Sequence, residues 1–137
     1  MMFFLPIVPP RTTHQAKKIV RVGGFTKLAD KPELKAVVSD YMTLLRPHAP
    51  AKPMEGAIKL HLEFTFPWRK SEPKKNRALG AKAHTSKPDW DNMAKTIVDV
   101  MVKLGFMCDD SQIYSGTVEK RWGDFPGIYV TIEEFNF

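Results

Sequence analysis

From Ala57 to Phe66 the chain reads AIKLHLEFTF, and every second side chain after the alanine is apolar. Ile58, Leu60, Leu62, Phe64 and Phe66 alternate with Lys59, His61, Glu63 and Thr65. That period of two predicts a strand with one buried and one polar face. Two other stretches follow a helical period. Lys31 to Arg46 sets Leu34, Val37, Val38, Tyr41, Leu44 and Leu45 along one side, with Pro32 and Glu33 suited to a first turn and Pro47 as the stop. Asp91 to Leu104 does the same with Met93, Ala94, Ile97, Val98, Met101 and Leu104, and Gly105 is a natural C-terminal cap. Shorter apolar runs predict an opening strand from Phe3 to Val8, ended by Pro9 and Pro10, and a hairpin in KKIVRVGGFTK turned at Gly23 and Gly24. Two more strands are expected, Ile113 to Trp122 and Gly127 to Phe135, antiparallel and joined by the turn GDFPG.

The order strand, hairpin, helix, strand, helix, strand, strand predicts an α+β fold, two helices on one face of a mixed β-sheet, in a single domain. At 137 residues the chain is long enough to bury such a core without disulfide or metal staples. Pro67, Pro73 and Gly80 argue against regular structure between the long strand and the second helix. No apolar run approaches the roughly 20 residues of a membrane-spanning helix. The opening MMFFLPIVPP lacks the basic leading segment of a signal peptide, so a cytoplasmic protein without a membrane partner is expected. The single cysteine, Cys108, follows Phe106 and Met107 and is expected to be a small buried side chain.

Charge becomes informative once it is located. The formal net charge is +6, and Arg69, Lys70, Lys74, Lys75, Arg77, Lys82 and Lys87 face one acid, Glu72, within residues 69–87. The remainder balances at fourteen basic and fourteen acidic residues, so the whole excess sits in one segment. A concentrated positive field attracts a polyanion such as nucleic acid, and a solvated loop is the plainer explanation of the same run. Arg11, Lys17, Lys18 and Arg21 are weaker candidates for the same contact. Trp68 and Trp122 can stack on bases or belong to the core.

Acids gather next to that segment. Asp91, Lys95 and Asp99 follow one another at i, i+4 on the polar face of the second helix, with Asp89 just upstream. Taken alone, Asp89 and Asp91 read as a helix cap. A second pair, Asp109 and Asp110, lies beyond the other end of the helix, where there is no helix start to serve; a turn accounts for Asp109. Carboxylates beside a basic segment also suit phosphodiester hydrolysis, in which hard oxygen ligands hold Mg²⁺ while the basic region holds the polyanion. His14, His48, His61 and His84 are too scattered for a zinc helix, and no glycine-rich phosphate cradle points to a nucleotide cofactor.

The stretch KPDWDNMAKTIVDVMVKLGFMCDDSQI, Lys87 to Ile113, resembles the RusA family of Holliday junction resolvases, small phage and prophage endonucleases. The shared pattern is acid-x-acid-Asn opening a helix, a lysine four residues on, then DD, a polar pair and an aliphatic residue. The likeness extends to the proline pair Pro9 and Pro10, and to Glu119 and Lys120 in a closing strand. It implies one endonuclease domain over 1–137, with 69–87 a basic loop within it, acting in DNA recombination and repair. It also implies that Asp89, Asp91 and Asp110 bind Mg²⁺, that Asp109 is accessory, and that Lys95 is a catalytic lysine. The implied partner is a four-way DNA junction, met by a homodimer whose two sites cut symmetric strands. Backbone contacts then fall to Arg69, Lys70, Lys74, Lys75, Arg77, Lys82, Lys87 and Arg11. A nuclease acting on forks or flaps, and a basic binding module without catalysis, are the competing expectations.

Overall fold

The structure is a computed structural model that describes residues 1–13 and 17–137; His14 lies outside them. In chain order the strands are β1 (Met2–Leu5), β2 (Lys17–Val22), β3 (Phe25–Asp30), β4 (Ala57–Pro67), β5 (Ala81–Ala83), β6 (Ile113–Gly123) and β7 (Gly127–Phe135). The helices are α1 (Pro32–Leu45), α2 (Lys74–Arg77) and α3 (Trp90–Lys103). β1, β7, β4, β6 and β5 form a five-stranded mixed sheet in that order, and β2 and β3 form a separate antiparallel pair. The fold is α+β, as the element order predicts.

The alternation in β4 is realised. Ile58, Leu62 and Phe64 are fully buried, while Lys59, His61, Glu63 and Thr65 reach partial or full exposure on the other face. β4 pairs with β6 in parallel and with β7 antiparallel, so it lies at the centre of the sheet. Burying each such side chain contributes about 1.5–3 kcal/mol. Val37, Tyr41 and Leu45 from α1, and Met93, Ile97, Val98 and Met101 from α3, join the buried face of β4 in one continuous core. β1 adds Phe3 and Leu5; β7 adds Ile128, Val130 and Ile132.

Four expectations need correction. The opening strand stops at Leu5, before Pro6, because proline has no N–H for the ladder with β7. β6 and β7 run in opposite directions but do not pair, since β4 lies between them. The basic segment is partly regular: Lys74–Arg77 turns into a short helix, and Ala81–Ala83 extends the sheet antiparallel to β6. Cys108 is exposed, because its backbone N–H is drawn to Gln112 Oε1 at 2.7 Å in a surface turn. The hairpin and helix ends follow the sequence closely. Gly23 and Gly24 take φ of +57° and +84°, the left-handed pair that a tight two-residue turn needs. No helix among the described residues is long and apolar enough to cross a membrane.

Candidate active site

α3 carries the site on its polar stripe. Asp89 occupies the N-cap position with extended backbone, yet its carboxylate accepts no helix N–H. It accepts instead from Lys87 Nζ at 2.7 Å. A residue that served only to cap the helix would turn its oxygens onto the first-turn amides, so capping does not account for where this carboxylate points. Asp89 and Asp91 line one open hollow of about 680 Å³ together with His84, Thr85, Ser86, Lys87, Trp90 and Lys120. Trp90, 61% exposed, stands at its edge.

One turn along α3, about 6 Å of rise from Asp91, Lys95 donates to Asp110 Oδ2 at 2.6 Å and lies 2.9 Å from Asp99 Oδ1. Asp110 first and Asp99 second push the Lys95 pKa up, so the ammonium stays charged at any working pH. Asp110 opens a 3₁₀ turn over Asp110–Gln112. Asp109 caps that turn by accepting from Ser111 N at 3.1 Å, and hydrogen bonding from the Ser111 side chain first and its backbone second holds the Asp109 carboxyl below the ordinary value. Gln112 Oε1 accepts from Asp109 N at 3.0 Å, completing a reciprocal cap. Gln112 Nε2 also donates to the carbonyls of Met54 and Gly56 at 2.8 and 2.9 Å, which ties the turn to the start of β4. Asp109 therefore does the work of a turn, and that turn fixes where Asp110 stands.

The carboxylates lie in two hollows along one helix. Asp89 and Asp91 share the first; Asp110 shares the second with Lys95, Asp99, Val102, Lys103 and Asp109. Among the described residues, the trio whose ligand atoms all fall within 4.8 Å of one another is a different one: His61, Glu63 and Glu119. It could hold a metal ion. It sits on the polar side of the sheet, where the parallel register sets Glu63 beside Glu119 and alternation puts His61 next to Glu63. Arg121 already pairs with Glu119 and approaches Glu63 to 3.9 Å, so a cation there competes with a resident guanidinium. Sequence reading missed this trio because it depends on which strands are neighbours; the alternation of His61 and Glu63 was its only local signal.

Behind the first hollow the rings stack. His84, 4% exposed, lies on Trp122 with ring centroids 3.9 Å apart, and Arg69 lies over Trp122 at 4.6 Å. Burial first, then the charges of Lys120, Arg69 and Arg11, lowers the His84 pKa to about 4, so the imidazole is neutral near pH 7. Trp122 is a core residue, while Trp68 packs half-buried and donates to Asp124 Oδ1 at 2.8 Å. In the basic segment, Arg69 donates to Ser86 Oγ at 3.1 Å, Arg77 to the Arg69 carbonyl at 2.7 Å and Lys82 to Glu72 at 3.0 Å. Lys70, Lys74 and Lys75 are exposed, and Arg11, also exposed, lines a hollow with Trp68 and Arg69.

These elements span nearly the whole chain, and so does its likeness to known proteins. A family model described as Endodeoxyribonuclease RusA matches residues 7–133. The chain belongs to the RusA family of endodeoxyribonucleases. A RusA relative from Lactococcus phage r1t, the "Crossover junction endodeoxyribonuclease rusA", is 33% identical over 107 residues, which is 74% of this chain and 73% of the relative. The RusA match takes in α3, both acidic clusters, the basic segment and the strands that carry them.

Proposed function

We propose that this RusA-family endonuclease resolves four-way DNA junctions by paired, symmetric, Mg²⁺-dependent nicks, and that it does so as a homodimer. The observation that carries the reading is the stripe on α3: Asp89 and Asp91 face one hollow, and Lys95 clasps Asp110 one turn away. The donor set is carboxylate oxygen, which suits Mg²⁺ better than a softer ion. The side chains of Asp89 and Asp110 are 45% and 38% exposed, so a hydrated cation and a phosphate can reach both. A positive charge already sits among the acids as the Lys95 ammonium, which fits a place where cationic charge is favoured.

Asp89 and Asp91 in the first hollow and Asp110 in the second would hold one or two ions, which when bound activate water and neutralise charge on the scissile phosphate. Lys95, held protonated, offers an N–H to a phosphate oxygen or to the attacking water. The exposed lysines of 69–87 grip the backbone without reading bases. Two copies related by a two-fold axis match the symmetry of a junction and cut two strands.

A synthetic four-way junction, a flap and a plain duplex, each incubated with Mg²⁺ or with chelator, test this reading. Symmetric paired nicks in the junction alone, and only with Mg²⁺, are expected. Preferred cutting of the flap would reassign the substrate, and binding without cleavage in any metal would leave a binding module. The backbone grip has its own measure. Replacing Lys70, Lys74 and Lys75 with glutamine is expected to flatten the slope of log affinity against log salt by about 2.7, at 0.9 per lost phosphate contact. An unchanged slope returns the segment to solvent.

A further inference from the structure

Lys120, from the Glu119–Lys120 pair of the closing strand, also lines the first hollow. Its ammonium donates to the carbonyl of Ser86 and to the carbonyl of Pro88, both at 2.6 Å. Those two carbonyls bracket Lys87, and Pro88 directly precedes Asp89. The same loop hangs from β6 a second time: the His84 N–H donates to the Lys120 carbonyl at 3.1 Å, and Ser86 N–H donates to His84 Nδ1 at 3.2 Å. β5 pairs with Arg121–Gly123 just beyond. The segment that delivers Asp89 to α3 is therefore held by one residue of β6 through both its backbone and its side chain.

An ammonium half-buried in the hollow it lines with Asp89 and Asp91 has a cost. Burial lowers the Lys120 pKa, and the nearby Asp89 charge acts in the opposite direction. A buried charge is retained only where hydrogen bonds or an opposite charge compensate it, and the two carbonyls and Asp89 supply that compensation. A loop that needed mere support could be backed by an apolar side chain. The placement instead resembles the outer groups that orient metal ligands, which act on the ligand through hydrogen bonds one step removed.

We propose that Lys120 is a positioning residue for the metal site: by fixing the Ser86 and Pro88 carbonyls it sets the carboxylate of Asp89 beside that of Asp91 so that both can hold one cation. The inference rests on the proposed nuclease function and deepens it.

The test uses the full chain and Mn²⁺ as the probe, with free ion read from its electron paramagnetic resonance signal in the absence of DNA. Lys120→Met is expected to weaken Mn²⁺ binding about tenfold, the lower end of what loss of an orienting group costs. Lys120→Arg, which keeps the charge and the donors, is expected to recover most of that loss, and junction affinity in chelator should stay near wild type for both. Mn²⁺ affinity equal to wild type in Lys120→Met overturns the proposal. So does an equal loss in the Met and Arg variants, which would mean packing alone, and so does a loss confined to junction affinity in chelator, which would make Lys120 a phosphate ligand. Melting temperatures check folding, and Lys120→Gln, with a donor for one carbonyl, replaces the Met variant if that one does not fold. Asp91→Asn runs alongside: if it too binds Mn²⁺ like wild type, the failure belongs to the metal-site reading and not to Lys120.

Discussion

Asparagine at position 91 or 110 is expected to slow junction cleavage about a thousandfold while leaving DNA affinity intact or raising it. The substitution keeps side-chain shape and removes one negative charge. In Asp91→Asn the hollow shared with Asp89 loses half its anionic character, and in Asp110→Asn the ammonium of Lys95 keeps Asp99 alone at 2.9 Å. A divalent ion supplies several kcal/mol of transition-state stabilisation, and about 4 kcal/mol corresponds to three decades of rate. Affinity moves the other way because a carboxylate facing phosphate repels it. Single-turnover cleavage of a labelled junction, with binding measured in chelator, reads both quantities. Cleavage at the wild-type rate by either variant would remove that carboxylate from the site.

The second large effect is at Lys95. Lys95→Met is expected to lower the single-turnover rate about a hundredfold at saturating Mg²⁺, the loss typical of removing one preorganised donor from a developing charge. Mn²⁺ binding should not weaken, because Asp110 and Asp99 are released from their ion pairs. Stability should change little: both acids are about two-fifths exposed, and exposed ion pairs contribute about 0–1 kcal/mol. This combination separates two roles. If Lys95 only neutralised its neighbours, a saturating divalent ion would replace it and the variant would cut at the wild-type rate.

Much of this was legible in the sequence because the signals were local. Strict alternation over Ile58–Phe66 and the 3.6-residue period over α1 and α3 place their own side chains, so the element ends agree to within a residue or two. Gly23, Gly24 and Gly105 mark turns through a backbone conformation that other residues avoid. What failed depended on partners distant in sequence. GDFPG does join β6 to β7, but nothing in either strand says that β4 inserts between them. Cys108 has apolar neighbours that point to the interior; a hydrogen bond from its own backbone N–H to the side-chain oxygen of a glutamine four residues on decides otherwise. The acidic residues divide in the same way. Asp109 as a turn former could be read from its position, whereas the direction of the Asp89 carboxylate depends on Lys87 and on a loop tied to Lys120.

The insertion of β4 between the last two strands also bears on how the molecule comes together. Parallel neighbours such as β4 and β6 meet only after the intervening chain, with α3 inside it, has looped back, and such distant pairings are slow to form. Asp89 and Asp91 stand at the start of that helix and Asp110 just past its far end, where Gln112 pins the turn to residues leading into β4. Until the loop closes, the acids are separate charges on a mobile polymer with no shared geometry. If these acids form the cutting site as proposed, the capacity to cut arrives together with the finished sheet.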